Sequence, residues 1–256
     1  MEISASQVRE LREKTGVGLM NCKKALQEAN GDIDEAIKKL RETGLSKAAK
    51  KSDRETNEGK IFIQTKNGQA VMVELNCETD FVASNDDFKT LGDAISTTLL
   101  ENSAINSVEE LQGLTIDGKS YTDFLAAYVL KLGENMSVKQ FNRISADGVG
   151  TYIHMNGKIG VAVAFTGDIN EEAGRDIAMH VAAANPSYVK SEEVPTEELD
   201  KESEIIRNQA LNEGKPVEIV DKIVKGKLSK FYKEVCLLEQ PFIKDDKVAV
   251  KNMLPA

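Results

Sequence analysis

The sequence predicts an α+β protein, on three observations. Helix punctuation divides the first 44 residues into three short helices. A β-hairpin followed by a helix occurs twice, 89 residues apart. Two charged helices with apolar stripes follow the second copy and read as an αα-hairpin. A chain of 256 residues, 41% hydrophobic and 29% charged, is no disordered tail and has room for more than one small domain. The expected organisation is a three-helix domain over 1–45 and a linker over 46–58. A core N-subdomain over 59–142 and a core C-subdomain built from 143–188 with 236–256 then surround an inserted helical hairpin over 189–235.

Each element has a local cause. Ser4 and Gln7 form a capping box, with Ile3 and Val8 at the positions of a hydrophobic staple, which predicts a helix over about 5–14. Thr15-Gly16-Val17-Gly18 breaks it, and a second helix runs through Cys22, Ala25, Leu26 and Ala29 to Asn30-Gly31. Asp32 and Glu35 cap a third helix carrying Ile33, Ala36, Ile37 and Leu40, with Gly44 expected to end it. Ser46 to Gly59 is polar and charged, as a linker would be. Strands over 59–65 and 69–76 flank Asn67-Gly68, and strands over 151–155 and 158–165 flank Asn156-Gly157, the strongest short hairpin signal. The helices that follow carry Phe88, Leu91, Ile95, Leu99 and Ala173, Ile177, Val181, Ala184 at helical spacing. Between the copies, Ser120 and Asp123 cap a helix through Phe124, Leu125, Tyr128, Val129 and Leu132 that Gly133 terminates. Thr196–Glu213 and Pro216–Val235 form the helical hairpin around Gly214, and a short ordered segment is expected over 247–254.

Charge and cysteine use narrow the function. The net charge of −9 disfavours a phosphate backbone as partner, so no direct nucleic-acid binding is expected. The charge is uneven, with 11 Lys or Arg against 8 Asp or Glu in residues 1–51 and an acidic remainder. Cys22, Cys77 and Cys236 are odd in number and lack zinc-site spacing, which fits a reduced, cytoplasmic setting with no metal. No apolar run approaches the ~20 residues of a membrane span, so no membrane role is expected. His154 and His180 lie apart from any nucleophile pattern and read as structural or surface residues, so no catalytic set emerges. Gly113 to Ser120 satisfies the phosphate-loop pattern GxxxxGK[ST], but no apolar strand leads into it and Asp117 would face the phosphates. A turn and cap before the Tyr121 helix is the better reading, and a nucleotide hydrolase built on Lys119 is the enzyme alternative.

Two segments stand out. In Asn76 to Asp87, Asp80 is followed by Phe81 and Val82 between a strand and a helix. Either the aromatic folds back into its own core or it forms a wedge for a partner. At Gly16 to Met20, Leu19 and Met20 either close the bundle or form an apolar lip beside Arg12, Lys23 and Lys24.

At these residues the chain resembles the bacterial elongation factor Ts family. The stretch Val8 to Leu26, VRELREKTGVGLMNCKKAL, resembles that family's first signature, and NCETDFVA from Asn76 to Ala83 resembles its second. Further similarity lies in Leu132 to Asn135, Gly160-Val161, Ile177 to Ala183, Gly226 to Phe231 and Leu238 to Phe242, in order along nearly the whole chain.

The resemblance implies a guanine-nucleotide exchange factor for GDP-bound elongation factor Tu, with no cofactor or nucleotide of its own. It implies a UBA-like fold for the first domain. In the family, the segment matching Thr79, Asp80, Phe81 and Val82 intrudes beside the GTPase's magnesium and phosphate loop. Arg12, Leu19, Met20 and Lys23 match N-terminal contacts, and Leu132, Gly133 and His154 match contacts made by the core. The segment around 227–231 resembles a dimerisation region, leaving a 1:1 or a 2:2 complex open. The family usually continues with a further strand and helix where this chain ends at Ala256, so no C-terminal contact is carried over and a reduced affinity is expected. A different binding reading makes the three-helix bundle a module for an unrelated protein, with the body as scaffold.

Overall fold

The computed structural model describes residues 3–254; the last two positions of the expected C-subdomain, 255 and 256, lie outside the described residues. It is α+β, with an N-terminal helical region and small antiparallel sheets. Its residues group into two compact units, the first running to Ser145 and regaining 153–160, the second comprising 146–152 and the chain from 161 onward.

The first unit opens with α1 (Ala5–Thr15), α2 (Leu19–Glu28) and α3 (Ile33–Lys51). The capping box forms as read: Gln7 N–H donates to Ser4 Oγ, and Ser4 N–H donates to Gln7 Oε1 at 3.1 Å. Leu11, Cys22, Leu26, Ala36 and Leu40 build the bundle core, with Ile3 packed against it. Gly44 does not end α3, which continues to Lys51 and makes 46–51 helical rather than linker. The cause is packing: Gly44 is buried, and a Cβ there would stand 3.0 Å from the Ala126 carbonyl oxygen. The glycine is a point of close approach between helices, and nothing in the sequence distinguished that from a stop.

β1 (Glu58–Lys66) and β2 (Gln69–Cys77) pair as expected across Asn67 and Gly68, whose φ values of 50° and 71° are those of a two-residue hairpin turn. α4 (Asp80–Ala83) and α5 (Asp86–Glu101) follow. A small hairpin of β3 (Thr115–Ile116) and β4 (Lys119–Ser120) leads into α6 (Tyr121–Leu132). β5 (Met136–Ser145), unforeseen from sequence, then joins β2 to give the order β1-β2-β5. Phe62, Val73, Leu75, Phe88, Leu91, Ile95, Phe124 and Val129 fill the core between sheet and helices. α6 is shared: Leu130 on its other face belongs to the bundle core.

β6 (Gly148–His154) and β7 (Ile159–Phe165) form the second hairpin, whose tip falls in the first unit. Within the second unit come α7 (Glu171–Ala184), α8 (Thr196–Asn212) and α9 (Val217–Val235). A final small hairpin follows, β8 (Pro241–Phe242) with β9 (Asp245–Ala249). Ile177, Leu237, Phe242 and Val250 make one small core, and Ile206, Ala210, Val220 and Val224 seal α8 on α9. His180 is a buried structural residue: Nε2 donates to Gln240 Oε1 at 2.9 Å, and Nδ1 accepts the Ile243 N–H at 3.2 Å.

Candidate functional site

β2 delivers the chain to the site with its last side chain locked inward. Cys77 is fully buried, its Sγ donates to the Thr79 carbonyl at 3.1 Å, and desolvation first, with the nearby Glu134 carboxylate second, pushes its thiol up to about 12. Thr79 then caps α4, its Oγ1 accepting the Val82 N–H at 3.3 Å. This single helical turn has two faces. Ala83 is buried and Val82 half-buried against the sheet core, so Asp80 and Phe81 are turned outward. Phe81 is 83% exposed. Of the two sequence readings, the ring does not fold into its own core.

The turn after α6 holds α4 in place. Glu134 Oε2 accepts the N–H groups of Glu78 and Thr79 at 3.1 and 2.9 Å, and Oε1 accepts the Thr79 hydroxyl at 2.6 Å. In return Glu78 Oε1 accepts the Asn135 N–H at 2.6 Å. That bond, aided by Arg54, holds the Glu78 carboxyl below its usual range against the opposing effect of desolvation. Asn135 Nδ2 donates to the carbonyls of Ser52 and Arg54, and Lys51 Nζ donates to that of Gly133, which fastens the end of α3 to the same turn. Leu132 packs half-buried on the core, and Gly133 at φ 82° caps α6 with its surface open. Gly133 thus flanks the hydrogen-bonded network that runs from Glu134 through Thr79 to Val82, while Leu132 joins the same region by packing on the core.

The N-terminal residues form a second patch in the same unit. Leu19 and Met20, 45% and 78% exposed, open α2, with Lys23 one turn on and Arg12 exposed on α1. The bundle keeps other side chains for its core, so the lip is formed. Lys131 links the patches: it lies against the Gly16 turn, and its Nζ donates to Asp87 at 2.6 Å in the first turn of α5. His154 ends β6, half-buried, beside Met155, which is 75% exposed. The hairpin tip is tied to β1 by Lys158 and Glu58 at 2.8 Å. Sequence reasoning missed Glu134 as the acceptor that holds the turn and Met155 as a further exposed apolar residue. Glu134 and Thr79 are 55 positions apart, and no local signal connects them.

The phosphate-loop match folds as something else. Asp117 and Gly118, at φ 49° and 72°, form the turn of the β3–β4 hairpin. Ser120 Oγ donates to Asp123 Oδ2 at 2.6 Å and accepts the Asp123 N–H, while Leu114 O accepts the Tyr121 N–H. A groove of about 460 Å³ adjoins it, floored by Val17, Leu40 and Leu130 and edged by Arg41, Lys119 and Asp123. Among the described residues no group of three His, Cys, Asp or Glu could hold a metal ion, and no helix is long and apolar enough to cross a membrane.

In this α+β protein, then, a capped turn braced from behind directs its aromatic side chain away from the core. A family model described as elongation factor TS matches residues 78–256, and the chain belongs to that family. Membership implies a nucleotide exchange factor that binds elongation factor Tu, an activity distinct from covalent catalysis.

Proposed function

We propose that the chain accelerates GDP release from GDP-bound elongation factor Tu by setting Asp80 and Phe81 against the GTPase's Mg²⁺ and phosphate-binding region. The observation that carries this reading is the outward Phe81 ring on a turn whose neighbours Val82 and Ala83 are committed to the core. Leaving a phenylalanine in water forgoes about 1.5–3 kcal/mol of burial, a quantity that becomes available when a partner covers the ring. Mg²⁺ and oriented backbone amides supply much of the hold on a nucleotide's phosphates, so a small displacement by ring and carboxylate lowers the affinity for GDP. Exchange follows from differential binding: the chain favours the nucleotide-free partner over the GDP-bound one.

In this reading Arg12, Leu19, Met20 and Lys23 dock the bundle, and Leu132, Gly133 and His154 make the contacts of the core. The three-helix bundle acts as a UBA-like docking domain, the parts before and after the 46–58 segment work together in the cytoplasm, and the complex is 1:1 or 2:2. The test is stopped-flow release of a fluorescent GDP from elongation factor Tu, chased with excess unlabelled GDP. Acceleration that rises with concentration and is lost in Asp80→Ala/Phe81→Ala is expected. Retained acceleration in that variant removes the wedge and leaves the exchange function standing.

A further inference from the structure

We infer that Glu134 is the positioning residue of the exchange site, setting the Asp80–Phe81 turn before the partner arrives. The inference rests on the proposed role of Phe81. One carboxylate takes three donors from two consecutive residues, the Glu78 and Thr79 amides and the Thr79 hydroxyl, immediately before the outward-facing pair. A one-turn helix has too few internal hydrogen bonds to define its own orientation, so its setting depends on outside contacts: Val82 and Ala83 seat it on the core, and an external acceptor fixes its approach. Glu134 is that acceptor, on a second element that is itself anchored. Its neighbours Gly133 and Asn135 are bonded to Lys51, Ser52, Arg54 and Glu78. Thr79 carries the constraint forward because the hydroxyl that donates to Glu134 also accepts the Val82 N–H. The orientation of α4 is thus fixed at both its cap and its approach.

A group that acts only by orienting another leaves docking largely intact and lowers the rate reached once docking is saturated. Substitutions at Glu134 separate this from a general structural role. Glu134→Ala leaves two amides without their acceptor. Glu134→Gln restores an amide oxygen for those N–H groups and an Nε2 that donates to the Thr79 hydroxyl, whose lone pairs serve both it and Val82.

The experiment measures GDP release from elongation factor Tu as a function of the concentration of the full chain, for wild type, Glu134→Ala, Glu134→Gln, Phe81→Ala and the Phe81→Ala/Glu134→Ala double variant. Expected is a roughly 10-fold fall in the saturating rate for Glu134→Ala, with a half-saturating concentration within about 3-fold of wild type. Most of the rate should return in Glu134→Gln. The double variant should be slower than Phe81→Ala by far less than the roughly 10-fold that Glu134→Ala costs the wild type, because once the ring is gone only Asp80 is left to position. A Glu134→Ala loss that multiplies with that of Phe81→Ala, or an unchanged rate in Glu134→Ala, overturns the inference while the role of Phe81 stands. Normal exchange in Phe81→Ala overturns that role and the inference with it. If Glu134→Ala does not fold, Thr79→Val against Thr79→Ser puts the same question, since only serine keeps the hydroxyl that links Glu134 to Val82.

Discussion

Arg41 donates Nε and Nη2 to the two carboxylate oxygens of Asp123, each at 2.6 Å. This fork joins α3 of the bundle to the first turn of α6, and it is what holds the Asp123 carboxyl below its usual range, with Ser120 adding a further hydrogen bond. The bidentate geometry is specific to the planar guanidinium, so Arg41→Lys is not conservative here. Both Arg41→Lys and Arg41→Ala are expected to lower the melting temperature, by a few degrees at most because Arg41 is exposed. The difference from wild type should shrink at high salt. Differential scanning fluorimetry across a sodium chloride series checks this. A difference independent of salt would show that the arginine acts through its apolar stem.

The same helix pair meets at Gly44, where the Ala126 carbonyl leaves little room for a side chain. Gly44→Ala sets a gain in helix propensity of up to about 1 kcal/mol against a tight contact, and the two nearly cancel. Gly44→Val adds branched volume that the backbone of α6 must move to accept, at a cost of about 1–3 kcal/mol. Urea unfolding should place Gly44→Ala near wild type and Gly44→Val clearly below it. Equal midpoints for wild type and Gly44→Val would mean that the bundle detaches from α6 without consequence.

How legible these features were in the sequence depends on whether they are local. The Ser4–Gln7 box, the Asn67-Gly68 turn and the Gly133 cap each reside in a few consecutive residues, and each forms as read. Gly44 was misread because a glycine that admits a neighbouring helix looks the same in sequence as one that ends its own. β5 escaped because Met136 to Ser145 mixes polar and apolar residues without clean alternation, and its pairing with β2 shifts register at Glu74/Leu75. The motif around Phe81 was visible, but the direction of the ring was not. That direction is decided by Ala83 and Val82 taking the inward positions and by Glu134 holding the turn.

The bundle lip and the α4 turn are expected to contribute to different steps. Met20 is mostly exposed and Lys23 sits one turn further along α2, so neither supports the fold. Met20→Ala and Lys23→Glu should raise the half-saturating concentration for exchange several-fold and leave the saturating rate near wild type. The Lys23→Glu effect should weaken as salt rises, whereas that of Met20→Ala should not. Stopped-flow titrations at two ionic strengths distinguish these outcomes. A fall in saturating rate for Met20→Ala would place the lip at the nucleotide-release step instead of docking.

The groups around the site also set how stability follows pH. Glu78 has its carboxyl lowered, chiefly by the Asn135 N–H, so the folded state holds the charged form that the unfolded chain gives up first on acidification. Its stabilising contribution is complete above the unfolded value of 4.5 and disappears as pH falls through the lower folded one. On the alkaline side, burial raises the Cys77 thiol from 9.0 to about 12 and raises those of Cys22 and Cys236 in the same direction. The unfolded chain therefore loses these protons first, and stability declines as pH climbs from about 9 towards 12. Urea midpoints measured from pH 3 to 10.5 should show a plateau with a fall at each end. Glu78→Gln, which keeps a carbonyl for the Asn135 N–H, should flatten part of the acid limb, and Cys77→Ala part of the alkaline one. An acid limb of unchanged steepness in Glu78→Gln would remove Glu78 as a source of that dependence and assign it to the other lowered carboxylates, Asp123 first among them through its fork with Arg41.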